Sequence, residues 1–332
     1  MIKKSTFIVS MILLFQCVPS FTIAQESKER DKFTFQVIDS TTLLIKASFL
    51  ELNPSSTATK SHDHQMVMQS GPKSSRLLLG SLTLASLNYA AYQPFKRVWW
   101  EEERTHFHFY QGWRRTRGYL DFGWHDTLYG HIDKLGHYYT SYLMTENFFY
   151  ICRWIGFAEN SSKLISPLLS SLLMLEIEIY DGFFKEWGFS LADFTANELG
   201  AFTPLLREKL PILQNFQLKF SYHNSHQPNR EPTFIKDYAG MTFWLSCNIH
   251  SWLPAKIKHV YPAWLNLALG YSVSRPTRGE IEIFFAPDID WRKIPIGNSE
   301  TMTFIKRTLN YFHFPCFAWK LTPQQKFYPA YF

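Results

Sequence analysis

The chain has 332 residues, 46% of them hydrophobic and 17% aromatic, with a formal charge of +6 from 34 lysines and arginines against 28 acids. That length and apolar content bury more core than one small domain needs, so two packed units are expected. The positive balance is mild and no Lys/Arg block tracks a phosphate backbone, which argues against a nucleic-acid partner.

Lys3 and Lys4, the apolar run 7–15 and the ending Thr22-Ile23-Ala24 form the three parts of a secretory signal, with cleavage expected after Ala24. The apolar run is much shorter than the roughly 20 residues of a bilayer span. Leu14-Phe15-Gln16 puts bulky residues where a lipidated Cys17 requires small ones. Removing the leader takes Lys3 and Lys4 with it and lowers the charge from +6 to +4. Cys152, Cys247 and Cys316 remain. Three is an odd number and no C-x-x-C occurs, which argues against a disulfide framework while leaving a single Cys247–Cys316 bridge open. Residues 33–49 hold two β-prone runs around Asp39-Ser40, a weak hairpin. Residues 51–75 are polar and predicted to be disordered, with His62-Asp63-His64 read as solvated.

A first helix is expected over 77–92, with small residues at Gly80, Ser81, Ala85, Ala90 and Ala91 and a stop at Pro94. The next stretch is crowded with Trp99, Trp100, Phe107, Phe109 and Trp113, rings that suit an interface between domains or at a membrane surface.

Three further helices each carry a polar pair three or four residues apart, which stacks the pair on one face: Asp133/His137, Glu178/Asp181 and Asp193/Asn197. In the first, Asp133, His137, Thr140, Ser141 and Met144 share a stripe. In the second, the stripe is Ser171, Met174, Glu178 and Asp181, with leucines and isoleucines over nearly all the rest. That is inside-out for a soluble surface helix. It implies a polar seam facing partner helices and an apolar remainder facing core or lipid, although Glu176 on the apolar flank opposes a full bilayer crossing. In the third, Ser190 is the expected N-cap, and Asp193, Ala196, Asn197, Gly200 and Pro204 share a face. Capping and turn roles also account for Asp133, Asp193 and Asp181-Gly182. Buried charges must be paired or bound to something, so a structural network, a metal or catalytic site and a polar-ligand site all stand open. With three carboxylates and an imidazole, the metal candidates are His137, Glu178, Asp181 and Asp193, and the ion would be divalent.

These residues carry a resemblance. Asp133-Lys134-x-Gly136-His137, Glu178-x-x-Asp181-Gly182-Phe183, Glu186-Trp187-Gly188, Ser190 and Asp193-x-x-Ala196-Asn197-x-x-Gly200 resemble the YfiM-like predicted periplasmic lipoprotein family, domain-of-unknown-function family 2279, in its longer Bacteroidetes-type members. More loosely, the same order is similar to VanZ-like membrane proteins. Phe107-His108-Phe109, Lys236-Asp237-Tyr238, Trp244-Leu245-Ser246, 264–271 and Asp288-x-Asp290 extend the likeness to roughly 77–332. The chain departs from the family in lacking a lipobox cysteine, in the long insertion 110–132 and in the short segment 275–279. The family implies no activity.

After Pro211 the periodicity becomes that of strands: 216–222, 242–249, 265–273 and 280–285, then a short helix over 306–312 and a final aromatic run 327–332, where Pro329 fits only an edge strand. The fold class expected is α+β: a helical bundle with a polar inner seam followed by a C-terminal antiparallel β unit, a partial barrel or sheet. The boundaries are 1–24 signal peptide, 25–75 variable segment, 76–210 helical core and 211–332 β-rich region. The leading functional reading is an exported cell-envelope protein, in the periplasm or outer membrane of a Gram-negative bacterium, membrane-associated, with a membrane or lipid as partner and a binding or structural role. The alternative is an envelope enzyme, a metal-assisted hydrolase or transferase on a lipid-linked substrate. There His137 acts as general acid/base, Glu178, Asp181 and Asp193 hold the metal, and Asp133, Lys134, Ser190 and Asn197 form the surrounding network.

Overall fold

The computed structural model describes residues 71–101, 103–111, 122–124, 129–225, 236–275, 278–297 and 299–332. The leader, the 33–49 hairpin, His62-Asp63-His64 and Trp113 lie outside them. Six α-helices and six strands are described: α1 (Ser74–Trp99), α2 (Ile132–Ile155), α3 (Glu159–Asp181), α4 (Leu191–Lys209), β1 (Phe216–Tyr222), β2 (Met241–Cys247), α5 (Ala255–Lys258), β3 (Leu265–Val273), β4 (Ile281–Ile289), α6 (Glu300–Leu309), β5 (Cys316–Thr322) and β6 (Lys326–Tyr331).

Helix α2 is the centre of the molecule. One side packs on α3 and α4. The other meets the sheet in a core of Ile132, Tyr139, Leu143, Met241, Phe243 and Val273, where the Tyr139 hydroxyl donates to the Tyr311 carbonyl at 2.6 Å. Helix α1 runs through Pro94 to Trp99 instead of stopping. The cost of a proline inside a helix, about 3 kcal/mol, is offset by ring packing past it: Tyr92, Phe95 and Tyr180 all surround the Trp100 indole, with centroids 5.5, 6.0 and 4.9 Å away. The segment that follows lies along the end of α3, with Thr105 and His108 N–H groups donating to the Phe183 and Gly182 carbonyls.

The strands form one antiparallel meander in sequence order, with β1 and β6 unpaired to each other, so the sheet is open. Pro329 sits in β6, an edge strand. The sheet is nevertheless strongly curled. Lys219 on β1 reaches Asp288 on β4 at 2.7 Å, and Thr242 on β2 lies 3.2 Å from the Tyr331 hydroxyl on β6. Flat strands three or four apart would stand about 14–19 Å from one another. The concave face takes Trp244, Phe284 and Tyr331 over small residues; a Cβ on Gly270 would come within 2.8 Å of the Trp244 ring. Polar residues line this buried face, whereas the convex face is apolar and, beyond its contact with α2, exposes Leu245, Leu269, Phe317, Trp319 and Phe327. Cys152, Cys247 and Cys316 are free, so Cys247 and Cys316 are not bridged.

Candidate functional site

The polar seam is built by the close approach of α4 to α2. A Cβ at Gly200 would fall 2.1 Å from the Tyr138 carbonyl oxygen, so only glycine lets the two backbones touch here. Asn197 and Asp193 lie one and two helical turns before Gly200 and are thereby pressed against α2. Ser190 caps α4, its hydroxyl accepting from the Asp193 N–H at 3.1 Å, which fixes where the Asp193 side chain leaves the first turn. Helix α3 closes the third side. It turns Ser162, Ser166, Ser170, Met174 and Glu178 inward at four-residue steps, and Ser170 donates to the Ser141 carbonyl at 2.9 Å, tying α3 to α2.

Asn197 joins all three helices. Its amide donates to Glu178 Oε1 at 3.0 Å, while its oxygen lies 3.1 Å from His137 Nδ1 and accepts from the Ser141 hydroxyl at 3.3 Å. His137 stands between two carboxylates: Nδ1 is 3.3 Å from Glu178 Oε1 and Nε2 is 3.9 Å from Asp193 Oδ1. Lys134 bridges Asp133 Oδ2 at 2.8 Å and Asp193 Oδ1 at 2.6 Å. The imidazole keeps 23% of its surface open, whereas Glu178 keeps 1%.

Burial drives the electrostatics. It holds the Glu178 carboxyl well above the usual carboxylate range, and the charges of Asp193 and Asp181 push it further. Asp181 is pushed up to about 7, again first by burial, with Asp193 adding to the rise and the Trp100 hydrogen bond opposing it. Asp193 goes the other way. Burial would raise it, but the His137 imidazole and the Lys134 ammonium more than reverse that. Lys134 is correspondingly held in its charged form, Asp193 and Asp133 outweighing its burial.

Of the residues singled out in the sequence, Asp133, Lys134, His137, Glu178, Asp193 and Asn197 are brought into one network, with Ser190 beneath it. Asp133 is not the N-cap of α2; that position is His131, in the left-handed region. Asp181 turns aside, its Oδ1 accepting from the Trp100 indole N–H at 2.6 Å. Among the described residues, the metal-capable atoms that gather are those of His137, Glu178 and Asp193, all within 4.8 Å of one another. The inner stripe of α3 is the Ser162-to-Glu178 series; Ser171 lies beside it and donates to Glu198. Trp100 could not have been found by spacing, because it comes from 81 residues away.

Residues 121–209, which hold all of α2, α3 and α4, match the family model described as predicted periplasmic lipoprotein (DUF2279). The seam therefore lies within the matched residues, and the curled sheet lies outside them. No curated protein and no solved structure matches the chain.

Proposed function

We propose that this is an exported cell-envelope protein that sits against a membrane and has a binding or structural role there. The observation that carries the reading is the reversal of α3. Its serines and Glu178 face inward while Leu164, Leu168, Leu172 and Ile179, also near four-residue steps, face out, Leu172 with 62% of its surface exposed. A helix of a soluble protein turns its apolar stripe to the core. Leu78 and Leu82 on α1 and the convex band of the sheet are further exposed apolar side chains, and apolar exposure beyond single scattered residues marks an interaction site. Among the described residues no helix is long and apolar enough to cross a membrane, so the contact proposed is along a face rather than through the bilayer. The description of the matched family as a periplasmic lipoprotein is consistent with export.

Cell fractionation tests this. The full-length protein is expected in the membrane fraction, resistant to high salt and released by detergent. A Cys17→Ser variant is expected to behave alike, because the attachment proposed is through side chains and not an acyl chain. Recovery of the wild type in the soluble periplasmic fraction without detergent would overturn the reading.

A further inference from the structure

We propose that His137, Glu178 and Asp193 bind one divalent first-row transition ion, of the zinc or manganese type, at the junction of α2, α3 and α4. This goes beyond the membrane reading and does not depend on it.

Three independent features converge on the junction. First, an imidazole nitrogen and one oxygen from each of two carboxylates, contributed by three different helices, lie within 4.8 Å of one another. Ligands at about 2.0–2.2 Å from a shared ion are separated by at most about 4.4 Å, so closure needs only side-chain adjustment. Second, the carboxylates are already oriented as ligands should be: the Asn197 amide holds Glu178 Oε1 and the Ser190 cap sets the base of Asp193. Third, the formal charges do not balance. Asp133 and Asp193 share one ammonium, Lys134, and Glu178 has neither lysine nor arginine within ion-pair distance among the described residues. A mixed imidazole and carboxylate set suits zinc, manganese or iron over calcium, which takes oxygen alone.

Lys134 is the built-in competitor. Its ammonium supplies positive charge to Asp193 Oδ1, yet it also holds Asp133 Oδ2. The second oxygen of Asp133 is buried and has no hydrogen-bond partner among the described residues. When an ion takes Asp193, the ammonium can settle wholly on Asp133. A purely structural network makes the opposite forecast for this lysine: without it, stability falls and no ligand is gained.

The test is calorimetric titration of the untagged, EDTA-treated full chain with Zn2+, Mn2+ and Mg2+, in a His62→Ala/His64→Ala background. One equivalent of a transition ion is expected to bind, with Mg2+ at least 10-fold weaker. His137→Gln and Asp193→Asn should each weaken it by 10-fold or more, and Lys134→Met should tighten it. Should the carboxylate variant fail to fold, the visible spectrum of the Co2+-loaded wild type and of Lys134→Met reports ligation directly. Absence of stoichiometric binding in the wild type, binding that survives His137→Gln, or an affinity unimproved by Lys134→Met would each overturn the site.

Discussion

Two buried polar centres among the described residues, the helical seam and the one around Asp288, differ in how completely they are closed. In the sheet, both oxygens of Asp288 are partnered. Oδ1 lies 2.9 Å from His313 Nδ1, and Oδ2 accepts from Lys219 Nζ at 2.7 Å and from the Ser246 hydroxyl at 2.6 Å. Asn266 donates to that hydroxyl in turn, and Lys219 donates onward to the Ile289 carbonyl. Trp244 stacks on His313 at 3.9 Å, and Lys219 and Asp288 are 0% and 1% exposed. Cys316 Sγ, 3.4 Å from His313 Nε2, completes the outline of a nucleophilic triad. Burial, with Asp288 adding to it, pushes that thiol up to about 11, so it remains protonated and closes the network instead. In the helical seam the same residue types are left open, with acids in excess, an unpartnered carboxylate oxygen and an accessible imidazole. One centre has spent its valences on the fold; the other retains them.

The strongest way to break that contrast is to remove each hub. Asp288→Ala strands the Lys219 ammonium in the buried face of the sheet, and loss of one partner from a buried pair costs about 3–5 kcal/mol. The expected result is a urea midpoint lowered to match, in both helical and sheet signals. Asp193→Asn removes a group whose neighbours keep other partners, Lys134 on Asp133 and His137 on Asn197, and should cost about 1–2 kcal/mol, near the usual cost of a lost buried hydrogen bond. Equal losses at the two sites would show that the seam is as structural as the sheet centre.

Gly200→Ala falls between those two losses in size. Its Cβ would collide with the Tyr138 carbonyl, a backbone atom that cannot swing away, so α4 must retreat from α2. Overpacking of this kind costs about 1–3 kcal/mol. The seam should be dismantled with it: cation binding is expected to be lost, while the packing around Trp244, followed by its fluorescence, stays native. An unchanged affinity would separate the site from the helix approach that builds it.

These two centres were unequally legible in the sequence for a physical reason. The seam follows from local periodicity: pairs at three and four residues read directly as faces, and Ser190 read as a cap because capping is a local interaction. What periodicity cannot supply is the partner. Asp181 looked equivalent to Glu178 until Trp100 took its oxygen, and serines scattered among leucines concealed that Ser162, Ser166 and Ser170 form the inward edge of α3. Strands β1 and β3 alternate clearly, and the bounds expected from the sequence, 216–222 and 265–273, are those of the structure. The pattern does not announce strand β5, since Cys316, Ala318 and Lys320 on its inner side do not look like a buried face when a buried face is expected to be apolar. The Asp288 centre draws on β1, β2, β3, β4, β5 and the chain after α6, so no window of sequence contains it.

The pH dependence separates the centres next, by a few degrees of melting temperature. For Asp181 the folded value, about 7, lies above the ordinary carboxylate value near 4. Its contribution is therefore fully present below about pH 4 and lost as pH rises through 7. Asp288 is held low: burial alone would raise it, and the His313 hydrogen bond and the Lys219 charge overcome that. Its contribution is present above the ordinary carboxylate value and lost as pH falls through its depressed folded value. In EDTA, Asp181→Asn should gain on the wild type as pH rises from 5 to 8, whereas the deficit of Asp288→Asn should persist across that range and shrink only in acid. A parallel pH profile for wild type and Asp181→Asn would remove Asp181 from the buried charge of the seam.

The smallest effect on stability tests the exteriors of the same two regions. Leu164, Leu168 and Leu172 on α3 and Leu245, Leu269 and Trp319 on the sheet are all about half exposed or more. Substituting either trio by serine should move the unfolding free energy by about 0.5 kcal/mol per site or less. Burying what remains exposed of each side chain in lipid is worth about 1 kcal/mol, so each trio contributes about 3 kcal/mol to partition, a factor of more than 100. Flotation with anionic and neutral vesicles then assigns the contact. If the helical trio abolishes flotation and the sheet trio does not, the seam-bearing bundle is the part that meets the vesicle. The reverse result would give the contact to the sheet, and flotation unchanged by both trios would count against the membrane reading.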